Sequence, residues 1–136
     1  MTVGRMWRGI LAGVLGMALL QGVTAAPAGA VPVAGSLSGT PKGEVVPHEE
    51  VHLRGSLPPR KARPIQLQAR VDAGAWRTVA KARSKSSGSF AFTTTVAATA
   101  GTTLTYRVLA PATRIGGTRL AARRTPVLSY RVLQGT

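Results

Sequence analysis

Cysteine and asparagine are both missing from this 136-residue chain, and only four residues are acidic: Glu44, Glu49, Glu50 and Asp72. Without cysteine there is no disulfide framework, no thiol chemistry, no Cys-ligated metal and no lipid attached to a cysteine behind a leader. Without asparagine there is no N-glycosylation sequon. Aromatic residues make up 4% of the chain. So few rings leave little beyond core packing for them to do, which argues against single-stranded nucleic acid, whose bases stack on exposed rings. What is abundant is positive charge: 18 Lys and Arg against the four acids, a formal net charge of +14.

The first thirty residues read as an export signal. Arg5 and Arg8 lie in an acid-free N-terminus, Ile10 to Leu20 is an apolar run, and small residues follow to Ala28-Gly29-Ala30. This is the positive, apolar, small-residue order of a secretory leader. Cleavage is expected after Ala30, with Ala25 and Ala26 as alternative sites. A spanning helix needs about 20 apolar residues, and this run has eleven. The expected product is a secreted, extracellular, monomeric chain with no stable membrane insertion. Residues 31–136 then form one domain, keeping sixteen cations against four acids, a formal +12.

That domain reads as all-β, a seven-stranded sandwich. Ile65 to Val71 alternates apolar and polar side chains, the period of a half-buried strand. Asp72-Ala73-Gly74 supplies turn chemistry, and Trp76 to Arg83 returns as the second arm of a hairpin. Trp76 and Val79 are an odd number of residues apart, so burying both requires a bulge. Val33–Gly39, Glu50–Leu57, Phe90–Val96, Leu104–Leu109 and Val127–Leu133 complete the set. Val51, Leu53 and Leu57 share one face, as do Phe90, Phe92 and Val96. Tyr106-Arg107-Val108-Leu109 recurs as Tyr130-Arg131-Val132-Leu133, read as one packing solution used in adjacent strands. Pro111 to Pro126 is expected to be a long basic loop, Gly116-Gly117 plain flexibility, and Arg119–Arg124 at most one helical turn.

The series Glu49-Glu50-Val51-His52-Leu53-Arg54-Gly55, Pro64-Ile65-Gln66-Leu67-Gln68, Gly74-Ala75-Trp76-Arg77-Thr78-Val79-Ala80, Ser87-Gly88-Ser89-Phe90-Ala91-Phe92 and Thr105-Tyr106-Arg107-Val108 resembles the bacterial immunoglobulin-like or fibronectin type III-like modules of secreted proteins. The resemblance spans most of residues 33–133 and implies a β-sandwich acting as a spacer, adhesion unit or carbohydrate-associated appendage. It implies no ligand.

His48-Glu49-Glu50-Val51-His52 matches H-E-x-x-H, the signature of a zinc hydrolase. On a helix the two imidazoles stand about 6 Å apart; on a strand the same spacing is about 13 Å. Pro47 and the alternation of Val51 and Leu53 with His52 and Arg54 favour the strand, so no catalytic residue, metal or cofactor is expected. Trp76 is a candidate sugar platform for a carbohydrate-binding reading. The leading expectation is a non-catalytic module that meets an anionic envelope polymer or a protein partner through basic loops. If successive strands alternate in direction, the loops after the second, fourth and sixth strands share one end. They carry Arg60, Lys61, Arg63, then Arg83, Lys85, then Arg114, Arg119, Arg123 and Arg124. An Arg-rich composition of this kind is also what a GC-rich genome produces.

Overall fold

A computed structural model describes residues 31–135; the leader falls outside the described residues. These residues are all-β, with no helix among them. Eleven strands run in order: β1 (Ser36–Thr40), β2 (Glu44–Val45), β3 (Glu50–Ser56), β4 (Pro64–Val71), β5 (Arg77–Arg83), β6 (Ser89–Thr95), β7 (Thr103–Ala110), β8 (Thr113–Ile115), β9 (Thr118–Leu120), β10 (Arg123–Arg124) and β11 (Leu128–Val132). One sheet is β1-β3-β6. The other runs β2-β11-β7-β4-β5, with β10 also on β7, and β8-β9 form a separate hairpin.

Alternation explains why the two larger sheets come together. In β3, Val51 and Leu53 point one way and His52 and Arg54 the other; β6 does the same with Phe90 and Phe92. β4 contributes Ile65, Leu67 and Ala69, and β7 contributes Leu104, Tyr106 and Val108. All of these join one core, so the two sheets each lend an apolar face to it in the manner of a sandwich. The repeated Tyr-Arg-Val-Leu motif falls on β7 and β11, which are hydrogen-bonded neighbours. Its tyrosines Tyr106 and Tyr130 pack edge to face, 6.1 Å between ring centroids, a favoured geometry for aromatic pairs.

Burial pushes the Tyr106 phenol up to about 12, helped by the nearby Tyr130; burial raises Tyr130 as well, with Glu49 adding to it. The neutral phenol is therefore the form the fold favours. Its contribution is complete below the ordinary value of 10.0 and is lost as pH rises through about 12. Denaturant midpoints should thus hold level approaching pH 10 and fall above it. Tyr106→Phe, which cannot ionise, should flatten that fall; an unchanged alkaline slope would reject the assignment.

The seven principal strands match the expected ones, with corrections at their ends. The first begins at Ser36; Val33 instead makes an isolated parallel bridge to Arg124. The β4–β5 ladder shifts register between Leu67 and Gln68, leaving Val79 as the bulged residue. The strand is bulged although the condition that would have required a bulge is not met: Val79 is 41% exposed, and Trp76 is half-buried just before the strand. A bulge in an edge strand frees one residue from the pleat, and β5 is such an edge.

The stretch 111–126 departs most from expectation. Gly116 and Gly117 both have positive φ, 55° and 81°, the requirement of a two-residue type I′ turn. They close the β8-β9 hairpin and are not a flexible spacer. Arg123 and Arg124 are extended, paired with Ala110 and Leu109 of β7, so the helical turn expected around them is absent. The register then slips by one residue before β11, where Leu128 faces Tyr106. Thr125 holds the slip: its amide donates to the Val108 carbonyl, and its hydroxyl accepts from the Val108 amide at 3.0 Å.

Candidate functional site: a cationic loop end

The strand directions bring the loops after β3, β5 and β7 together. Leu57 N donates to Gly88 O, and Ser84 N donates to Arg63 O. Buried Ser84 turns its hydroxyl between two partners, accepting from Arg63 N and donating to Lys61 O, both at 3.1 Å. The side chain of Arg63 completes the join: its Nη2 donates to Pro111 O at 2.7 Å and to Ala121 O at 3.0 Å. The three loops expected at one end are therefore at one end.

Arg63 is also where the expected binding set needs correction. Its residue is 1% exposed, so its charge is unavailable to a partner in solution. Burial lowers its pKa, with Arg123 adding to the effect. The long side chain spans the gap between loops, and its Nη2 alone reaches the carbonyls of both Pro111 and Ala121, which a shorter side chain cannot do. The arginine is a tie between loops.

The remaining members divide. Arg60, Lys61, Lys85, Arg114 and Arg119 are exposed around this end. Arg83 is exposed on the outer side of β5, where it meets the same end. Arg123 and Arg124 are half-buried in β10. Arg114 and Arg119 are direct cross-strand partners in the β8-β9 hairpin, and Arg114 Nη1 reaches Gly117 O at 3.1 Å. Like charges directly opposite each other oppose hairpin formation. The loops of this end contain no acid, and Glu44, Glu49, Glu50 and Asp72 lie at or beside the other end of the strands.

The H-E-x-x-H segment has no helix. His48 sits in a turn with φ 71°, and His52 lies on β3. Glu49 Oε1 accepts from Val46 N at 2.9 Å, and His52 Nδ1 lies 3.2 Å from Thr93 Oγ1. Both side chains have local structural work. Among the described residues no group of three or more His, Asp or Glu is placed to hold a metal. A cleft of about 280 Å³ between the sheets is lined by Ala69, Val79, Thr94 and Leu104 among others, with neither imidazole nor carboxylate.

Trp76, read as a possible sugar platform, has company that the sequence did not suggest. The guanidinium carbons of Arg107 and Arg70 lie 4.0 and 4.7 Å from its ring centroid. Arg70 and Arg107 lie outside the expected basic set because each falls within a strand, whereas that set belongs to the loops and their edges. The detectable signal was positional: both occupy polar phases of alternating strands. Comparison with family models, curated proteins and solved structures gives no match.

Proposed function

We propose that this chain is a secreted, non-catalytic immunoglobulin-like or fibronectin type III-like module that associates with an anionic polymer of the cell envelope through its cationic loop end. The first, second and fifth principal strands (β1, β3, β6) form one sheet, and the third, fourth, sixth and seventh (β4, β5, β7, β11) form the other. That order supports the immunoglobulin-like reading. Export rests on the leader pattern of residues 1–30.

The observation that carries the binding reading is the Arg114–Arg119 pair. Two exposed arginines face each other on a short hairpin, at an end whose loops carry no acid. An anion between them removes the repulsion and gains charge-assisted hydrogen bonds. Arg60, Lys61, Arg83 and Lys85 extend the same field. The mature chain's few aromatics disfavour nucleic acid: Phe90, Phe92, Tyr106 and Tyr130 are core residues, leaving no free stacking rings at the loop end.

The test is retention of the full chain on an immobilised polyuronate or heparin at increasing salt. Arg114→Ala with Arg119→Ala should weaken binding about tenfold, the scale of two exposed charge contacts. Elution unchanged by the double substitution would reject this end as the binding surface.

A further inference from the structure

The outer face of the larger sheet carries a second cationic feature. β4 turns Ile65, Leu67 and Ala69 into the core, so Gln66, Gln68 and Arg70 face away from it. β7 turns Leu104, Tyr106 and Val108 inward, so Thr105, Arg107 and Leu109 face outward beside them. Register sets Gln68 opposite Arg107 and Arg70 opposite Thr105. Trp76 closes over this patch, with both guanidinium groups against its ring.

Three details show that the arrangement is built. Gln68 Oε1 accepts from Arg107 Nε at 2.7 Å, which orients the guanidinium fork. Thr105 is buried although it belongs to the outward set, so the side chains around it cover it. Arg70 Nε is buried with no hydrogen-bond partner. Around these, positive charge accumulates without compensation. Among the described residues neither Arg70 nor Arg107 has a carboxylate partner. Burial lowers the Arg107 pKa, and the charges of Arg124 and then Arg70 lower it further. The nearest acid in sequence, Asp72, is engaged elsewhere: its Oδ1 accepts from Thr103 N at 2.9 Å.

Crowded cations held in place by an aromatic ring are suited to a forked oxyanion, which each guanidinium can meet with two parallel N–H donors. We propose that Arg70 and Arg107, braced by Trp76 and Gln68, form an oxyanion-binding site for the carboxylate, sulfate or phosphate groups of an anionic glycan. The site deepens the polyanion reading above and rests on it. Outward positions on one strand recur about every 6.6 Å. Lys81, opposite Gln66, and Arg83, opposite Pro64, continue the same face towards the loop end. A linear polymer held at the loops can therefore run along the sheet to Trp76. A glycan fits better than a nucleic acid because the one aromatic ring here is occupied by arginines and Gln66 and Gln68 offer amides suited to hydroxyl groups.

The test is a titration of the full chain at constant ionic strength, followed by NMR. The reporters are the Trp76 indole N–H, assigned with Trp76→Phe, and the Arg70 and Arg107 Nε–H signals. The probes are a uronate oligosaccharide, sodium sulfate, inorganic phosphate and a single-stranded DNA oligomer of matched charge. Saturable shifts of these signals with the uronate, sulfate or phosphate probe are expected, and the preferred probe identifies the oxyanion. Arg107→Gln should weaken binding at the reporters about tenfold, the scale of one lost charge-assisted pair. Arg114→Ala with Arg119→Ala should leave the half-saturation point at Trp76 within about twofold for small anions, because those residues lie on a separate hairpin. That separates this site from the loop end: loss of column retention with intact Trp76 shifts supports the site, whichever surface dominates retention. Shifts that do not saturate, or that match those in chloride, overturn it. Tighter saturation by DNA overturns the choice of glycan. Should Arg107→Gln fail to fold, the titration of the unsubstituted chain decides alone.

Discussion

Arg63→Ala is expected to lower the unfolding free energy by about 3 kcal/mol, and Arg63→Met by about 1 kcal/mol. The alanine variant removes the donor to Pro111 O and Ala121 O and leaves a void where a fully buried side chain stood. The methionine variant loses the same hydrogen bonds but keeps most of the stem's volume. It also removes a buried charge that has no carboxylate nearby, because all four acids lie towards the other end of the strands. Nε and Nη1 of Arg63 have no hydrogen-bond partner, so part of the guanidinium's desolvation is uncompensated and disappears with it. Urea denaturation of the two variants gives the comparison. Equal losses would mean that the hydrogen bonds dominate and the buried charge costs little. Amide exchange should rise in residues 111–122 in both, since the tie to that segment is cut in both.

Gly55→Ala should cost about 3 kcal/mol and act on one strand before the rest. A Cβ at Gly55 would run into the backbone carbonyl of Ser36 and come within 3.0 Å of Phe90 Cζ. Main chain cannot rotate out of the way as a side chain can. Relief must come from β1, which lies at the edge of its sheet and is held there through β3. The expected signature is fast amide exchange and proteolysis within 36–40 while β4 and β7 stay protected. Gly135→Ala is the control, because its nearest contact would be an ordinary 3.7 Å to Val46 Cβ. Uniform loss of protection across both sheets would show instead that β1 is integral to the core. The same contact explains the glycine of the Val-x-Leu-x-Gly strand: the neighbouring backbone comes too close for any side chain.

Several features were legible because they depend only on near neighbours in the chain. Alternation at Val51 and Leu53, at Ile65 and Leu67, and at Phe90 and Phe92 states which side chains face the core, since a strand's period is two. All six are buried. The strand over Glu50–Ser56 followed from the same rule and separates the histidines of the H-E-x-x-H match. The gathering of three basic loops followed from alternating strand direction alone.

Other features were not legible, for identifiable reasons. Arg63 sits in a run of loop cations, Arg60, Lys61 and Arg63, and nothing local distinguishes the one that turns inward. Its fate depends on carbonyls forty-eight and fifty-eight residues away. Gly116-Gly117 was a hairpin signal, but its flanking strands are only three residues each, too short to show a period. The cluster of Trp76, Arg70 and Arg107 joins three segments separated by a turn and a whole sheet crossing, so no window of sequence contains it.

The sequence by itself determined the class of fold, the core-facing residues of the main strands and the gathering of the basic loops at one end, because each follows from side-chain alternation or chain direction. Only the tertiary structure decided which cations are available. It buried Arg63, set Arg114 against Arg119, and brought Arg70 and Arg107 onto Trp76. Availability is a matter of what packs over a side chain, and in a sheet protein the covering atoms come from strands distant in sequence.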